Sequence, residues 1–191
     1  MSFAHYIGTS DLSNTNVQSI YAIKDDLGTT TISNIRAVGP DSLVKQIITN
    51  GISAVGAAIR TATSNTVNFT TDGGWYIDLP DSGERVNVEM KLQLGTLIVA
   101  SNVPDTNACD IGGYSWLNYF DYGTGSYVPG ASDVAQKFSN SLLVGINVVR
   151  LPNGKVVVIG TAADNTRTTV AAPFSANLST GERVNWREIL E

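Results

Sequence analysis

The stretch that decides the fold is Gly74-Trp-Tyr-Ile-Asp-Leu-Pro-Asp-Ser-Gly-Glu-Arg-Val86. Trp75, Ile77 and Leu79 alternate with Tyr76 and Asp78, the period-two pattern of a strand with one buried face and one polar-edged face. Pro80-Asp-Ser-Gly83 then reads as a turn, because proline presets φ and glycine tolerates a left-handed backbone. Working outward, short β-branched and aromatic runs recur between Gly, Asn, Asp and Pro at 3–7, 18–23, 66–69, 85–92, 96–99, 116–120, 142–151 and 155–159. Leu151-Pro-Asn-Gly-Lys155 joins two of them as a hairpin, and Leu92-Gln-Leu-Gly95 joins two more. The expected fold is therefore all-β with meandering antiparallel strands. One exception is expected near residues 41–49, where Leu43, Val44, Ile47 and Ile48 fall at i, i+1, i+4 and i+5 behind Asp41 or Ser42 as a cap. That pattern predicts one short helix or a long loop.

With 191 residues the chain has room for one core, and it reads as a single segment over 1–191. Charged residues are 15% and hydrophobic ones 42%, against roughly 25% charged in a typical soluble domain, so Ser, Thr and Asn must carry the polar surface. A balance of 12 Lys+Arg against 17 Asp+Glu, net charge -5, leaves no basic face for nucleic acid. The apolar runs at 97–100 and 142–149 fall short of the ~20 residues that span a bilayer. The sequence MSFAHYIGTSD lacks the basic and apolar regions of a secretory leader, so the chain is expected to be part of a larger protein. Cys109 is the single cysteine and His5 the single histidine. No intrachain disulfide or multi-cysteine metal site follows, and a catalytic triad would need His5, at the start of a strand. His5 is read as a structural or surface residue rather than a catalytic one.

Three segments share one grammar: an apolar strand, a polar loop, a second strand with aromatic residues, and a Gly turn. They are HYIGTSDLSNTNVQSIYAIKDDLGT (5–29), LIVASNVPDTNACDIGGYSWLNYFDYGTGS (97–126) and VVVIGTAADNTRTTVAAPFSANLSTGERVNW (156–186). Such repetition is how consecutive β-propeller blades look in sequence. Roughly two to three blades are expected here, and propellers close with about four to eight. A freestanding β-sandwich is the alternative.

The residues also resemble a known family. The segment 6–25, with Gly8, Gln18, Tyr21 and Asp25, looks like a pattern of an inner strand ending in Gly-Thr-Gly, a loop, and then Gln-Ser-Phe-Tyr-Gly-Ile-x-Asp. Gly74, Trp75, Asp78, Pro80, Gly83, Glu84 and Arg85 resemble its GWY-x-DLP-x-x-GERV box, followed in order by Pro104, Cys109, Gly112-Gly113 and Trp116. Gly181-Glu-Arg-Val-Asn-Trp-Arg-Glu-Ile189, with Trp186, resembles the family's closing segment. The family is the PilY/PilC-type adhesins of type IV pilus tips, and the likeness is to their C-terminal propeller. Ser10 and Ala22 stand where the family has glycine. The resemblance implies a non-enzymatic, extracellular module at the pilus tip or outer-membrane surface. Its implied roles are to support pilus assembly, oppose retraction and attach to host cells or abiotic surfaces, with minor pilins as partners. Neither the family's Asp-rich calcium loop nor the Arg-Gly-Asp tripeptide of some members is present, so no cofactor is expected in this segment, and any calcium the resemblance implies would lie elsewhere in the full-length protein.

Asp11, Asn14 and Asn16 form an oxygen-rich loop that a Ca²⁺ ion could use, but with no Gly at the turn and no closing Glu it reads as an Asx-rich turn. The loop 103–113 is long and polar, a place for recognition residues or a plain connection. Glu84-Arg85 recurs as Glu182-Arg183, which raises the expectation of a repeated ion pair between blades. Asp25 and Asp26 point apart or sit in a turn, a poor general acid and base. Two other functions share the strand-and-turn grammar: a quinone-dependent dehydrogenase propeller, and a carbohydrate-binding propeller using Tyr114, Tyr122 and Tyr127.

Overall fold

A computed structural model describes residues 12–25, 27, 34–37, 39, 41–105 and 112–175. The described residues form three sheets and no helix. The first sheet has the order β1 (Ser19–Ile23), β5 (Gly74–Asp78), β2 (Leu43–Gln46). The second runs β3 (Ile48–Ile52), β4 (Ala58–Ala62), β9 (Ala135–Ser139), β8 (Gly113–Asp121), β7 (Thr96–Pro104), β6 (Lys91–Gln93). The third is the meander β10 (Leu143–Arg150), β11 (Lys155–Ala162), β12 (Arg167–Ser175).

The six-stranded sheet is central because both of its faces are buried. Its β7–β8 register pairs Leu97 with Phe120, Val99 with Asn118, Ser101 with Trp116 and Val103 with Tyr114, which places these eight side chains on one face. Val99 and Phe120 of that face pack with Ile20, Trp75 and Ile77 of the first sheet. The opposite face, carrying Ile98, Ala100, Leu117 and Tyr119, packs with Leu143, Ile146 and Val158 of the third sheet. Trp75 and Ile77 of β5, with Leu79 just beyond it, face the core between the sheets, while Tyr76 and Asp78 lie on the other face, where Tyr76 is also buried.

Turn chemistry sets the hairpins. Leu94 and Gly95 both have positive φ, 51° and 77°, the geometry that matches strand twist between β6 and β7. At 151–155, Gly154 takes φ 79° and its N–H bonds to the Leu151 carbonyl at 2.9 Å, closing β10 onto β11.

Four expectations change. Residues 41–49 contain β2 and the start of β3, with no helix: Asp41 sits at φ 59° rather than capping, Ile47 is exposed, and β2 pairs with β5. Pairing of these β-branched residues with a neighbouring strand outweighs a short helical period. That β2–β5 pair is parallel, so the sheets are not uniformly antiparallel. Residues 66–69 are a loop, and 85–92 hold only an isolated bridge from Arg85 to Asn102 before β6 begins. Besides β2 and β3, two strands escaped the sequence reading, β4 and β9, whereas β12 is the second strand expected of the third repeat. Of the three repeats, 97–126 and 156–175 do form strand-loop-strand hairpins, β7–β8 and β11–β12. In the first repeat β1 pairs instead with β5, and its opening strand at 3–7 lies outside the described residues. Sheets stacked face to face are compatible with blades. A six-stranded middle sheet and a parallel pair are not the four-stranded unit that a propeller repeats.

Gly74 is where the first sheet is most tightly constrained. It has φ 130°, and a Cβ there would overlap the Ala22 carbonyl of β1. Gly74→Ala is expected to destabilise the chain by at least about 2 kcal/mol through strain and a displaced β1, read as a lower urea midpoint, whereas Gly130→Ala, with open space around it, is expected to cost only part of that.

Candidate functional site

The polar centre of the molecule is built on Arg60, in the middle of β4. Cross-strand pairing puts Asn50 opposite Arg60, and Ala135 of β9 on its other side. Arg60 thus projects from the same face as Tyr114, Trp116, Asn118 and Ser101. Over that face lies the turn that follows β5, bringing Asp81 and Glu84. Arg60 and Glu84 are fully buried and form a two-pronged ion pair, Nη1 to Oε1 at 2.7 Å and Nη2 to Oε2 at 2.7 Å. The remaining donors reach Asn50 Oδ1 at 2.9 Å, Asp81 Oδ2 at 2.8 Å and Asn118 Oδ1 at 3.3 Å. All five guanidinium N–H groups therefore have acceptors. The guanidinium carbon lies 4.0 Å from the Trp116 ring centroid, a cation–π contact. Ser101 Oγ donates to Glu84 Oε1, and Asn118 Nδ2 donates to Ser101 Oγ at 3.0 Å.

Asp81 stands where this network meets solvent, its side chain 10% exposed. Its Oδ2 accepts from Arg60, from Trp116 Nε1 at 2.8 Å and from Tyr114 Oη at 3.0 Å, and its Oδ1 accepts from Asn50 Nδ2 at 2.6 Å. Burial alone would push the carboxyl up, but these hydrogen bonds and the Arg60 charge hold it below the ordinary carboxylate value. The Tyr114 hydroxyl is pushed up to about 12, by burial first and then by the Asp81 charge. A cleft of about 470 Å³ opens at this point, lined by Asn50, Ile52, Ala58, Asp81, Tyr114, Trp116 and Lys137. The Lys137 ammonium sits 4.6 Å from the Tyr114 ring centroid.

A second cluster occupies the outer face of the first sheet. Asp78 accepts from Ser19 Oγ at 2.6 Å and pairs with Arg36 at 2.8 Å and Lys45 at 3.0 Å. Tyr21 and Tyr76 stack at 6.0 Å between ring centroids, with the Arg36 guanidinium against both. Burial opposes ionisation of Asp78, and the Ser19 and Lys45 hydrogen bonds with the two cations overcome it, so its pKa is lowered.

The residues singled out by sequence are distributed as follows. Glu84 and Trp116 belong to the central network, and Tyr21 and Asp78 to the outer cluster. Trp75 is core, with its indole N–H on the Tyr122 carbonyl at 2.9 Å. Gln18 receives the Leu79 N–H on its carbonyl, and Pro80 is exposed. Gly83 has φ 71°, and a Cβ there would come within 3.0 Å of the Asn14 carbonyl. Arg85 contacts that same carbonyl from Nη2 at 3.2 Å. Glu84 therefore pairs with Arg60 rather than within a repeated Glu-Arg unit; Glu182 and Arg183 lie outside the described residues, as do His5, Gly8, Asp11, Asp26, Cys109 and Trp186. Asn14 Oδ1 accepts from the Asn16 N–H at 2.9 Å, and Asp25 Oδ1 from the Leu27 N–H at 2.8 Å, both local Asx turns. Among the described residues, no three His, Cys, Asp or Glu side chains converge as metal ligands. Tyr122 is exposed, while Tyr127 receives the Ala62 N–H on its hydroxyl at 3.0 Å. Arg60, Asp81, Asn118 and Ser101 were missed. The one available signal was an arginine at an inward position of the short run Ala58-Ile-Arg-Thr-Ala62.

Comparison with known proteins finds similarity to a type IV pilus biogenesis factor PilY1 homolog from Xylella fastidiosa. The identity is 25% over 178 residues, 90% of this chain and 12% of that protein. The chain thus spans about an eighth of its relative's length. No described protein family and no solved structure matches.

Two outcomes follow from the network. Arg60→Met leaves the buried Glu84 and the partly buried Asp81 without their cation and is expected to cost about 3–5 kcal/mol. Adding Glu84→Gln to that variant is expected to recover part of the loss, so a denaturant double-mutant cycle showing additive costs would contradict the pairing. Asp81 has a lower pKa folded than unfolded, so its stabilisation is complete above about pH 4 and is lost as pH falls through the depressed folded value. Asp81→Asn is expected to lower the melting temperature at neutral pH and to flatten its decline in acid.

Proposed function

We propose that this chain is a non-enzymatic module of a type IV pilus-associated protein, acting outside the cell in pilus assembly and in attachment to surfaces. The observation that carries this reading is the similarity to the PilY1 homolog over 90% of the chain. The GWY-x-DLP-x-x-GERV box adds to it, because its conspicuous residues have architectural work: Gly74 admits β1, Trp75 fills the core and Glu84 holds Arg60. The buried carboxylate of the centre, Glu84, is likewise committed to structure. Glu84 takes Arg60, Ser101 and the Asp81 N–H, leaving little capacity to shuttle protons for a substrate. Minor pilins and a host or abiotic surface are the partners this reading names, with opposition to pilus retraction as its mechanical role.

The test is genetic and uses the whole protein of the source organism. Deleting the codons for this chain in frame, or introducing Arg60→Met, is expected to reduce surface pili and attachment together, and blocking retraction is expected to restore pili. Unchanged pilus number and unchanged attachment, with the remaining protein still exported, would overturn the proposal.

A further inference from the structure

We infer that the cleft over Asp81 is a binding site for a neutral mono- or disaccharide. The inference rests on the cleft alone and not on the pilus reading. The hollow holds about 470 Å³ and opens broadly to solvent, with room for one or two sugar rings lying along its floor. Charge selects the ligand class. Asp81 and Glu84 against Arg60 leave one negative charge in the buried network, and Lys137 at the cleft returns one positive charge. The charges thus sum to zero and net charge favours neither an anion nor a cation, whereas a polyol can use the separate groups of both signs.

The polar groups are placed for hydroxyls, which donate and accept at once. Among the described residues Asp81 Oδ1 accepts from Asn50 alone, and a carboxylate oxygen has room for a second donor. Asn50 Nδ2 gives one hydrogen to Asp81 and holds another, Lys137 supplies ammonium donors, and the Tyr114 oxygen, having donated to Asp81, can accept. Trp116 is buried beneath the cleft, so the apolar wall for the C–H face of a pyranose is the half-buried Tyr114 ring with Ile52 and Ala58, and Lys137 must swing off that ring as the sugar enters. Preorganisation separates this site from an ordinary surface hollow. Four donors fix Asp81, Trp116 is held between its indole N–H bond and the Arg60 guanidinium, and Tyr114 is tied to the same carboxylate. Little conformational freedom remains to be lost when a ligand enters.

Saturation-transfer NMR on the full 191-residue chain tests this with methyl glucoside, methyl galactoside, methyl mannoside, cellobiose and lactose as probes. At least one is expected to bind with a Kd below about 10 mM. Lys137 stands exposed on β9, so Lys137→Met keeps the fold and is expected to weaken that probe by about tenfold. Tyr114→Phe keeps the ring and is expected to weaken it less than Tyr114→Ala. Failure of every probe overturns the inference, as does binding that neither Lys137→Met nor Tyr114→Ala changes. Penta-lysine bound in the cleft while the sugars are refused would overturn it too, by assigning the site to a cation. These outcomes are independent of pilus number, so the site can fail while the pilus reading stands, and the reverse.

Discussion

A buried guanidinium must have every donor satisfied, and that requirement organises the centre of this protein. Arg60 reaches acceptors on β3, on β8 and on the turn after β5, so three parts of the chain far apart in sequence have to arrive together. Apolar packing flanks the network on the same sheet face, with Val99 and Phe120 on one side and Val103 and Ala135 on the other. The apolar bands supply most of the burial free energy without choosing a register, since one aliphatic contact is much like another. The ion pair chooses it, because a shift of one residue would turn Arg60 away from Glu84 and strand both charges.

How much of this was readable in advance follows from the range of each interaction. The alternation of Trp75, Ile77 and Leu79, and the turns at Leu94-Gly95 and Asn153-Gly154, depend on neighbours a few residues away, and each folds as its local chemistry dictates. Leu43 to Ile48 shows the opposite case. Its apolar spacing suits a helix, but Gln46 is drawn in by Asn65, Thr63 and Thr124, and β2 lies along β5. No local rule contains those partners. Glu84 was conspicuous in the sequence and its partner was not, since an arginine 24 residues away carries no mark that distinguishes it from a surface charge. The cleft was harder still to foresee. Asp81 reads as an ordinary turn residue, and only the layering of that turn over Tyr114, Trp116 and Lys137 makes it a site.

The likeness to the PilY1 homolog and the architecture meet at one place. The box that resembles the pilus family supplies both the strand that joins the first sheet to the core and the acidic turn that caps the centre of the second. A sequence signature of this kind marks a junction between layers. The cleft opens at the edge of that junction, where Asp81 leaves the buried network and meets solvent.

The parallel pairing of β2 with β5 has a consequence for how the chain acquires its structure. The third sheet and the β6–β7–β8 portion of the second are successive hairpins, which can close as soon as their residues are available. The first sheet cannot. Its central strand, β5, finds both neighbours across long intervals, with the whole β3–β4 hairpin looped out between β2 and β5. Loop-closure entropy opposes such contacts until a surface exists to receive them. By the same measure β4 meets β9 across a still longer interval, Ile59 opposite Gln136, so topology sets two late events, the docking of β5 and the joining of the Arg60 hairpin to the rest of its sheet, and the ion pair with Glu84 needs both.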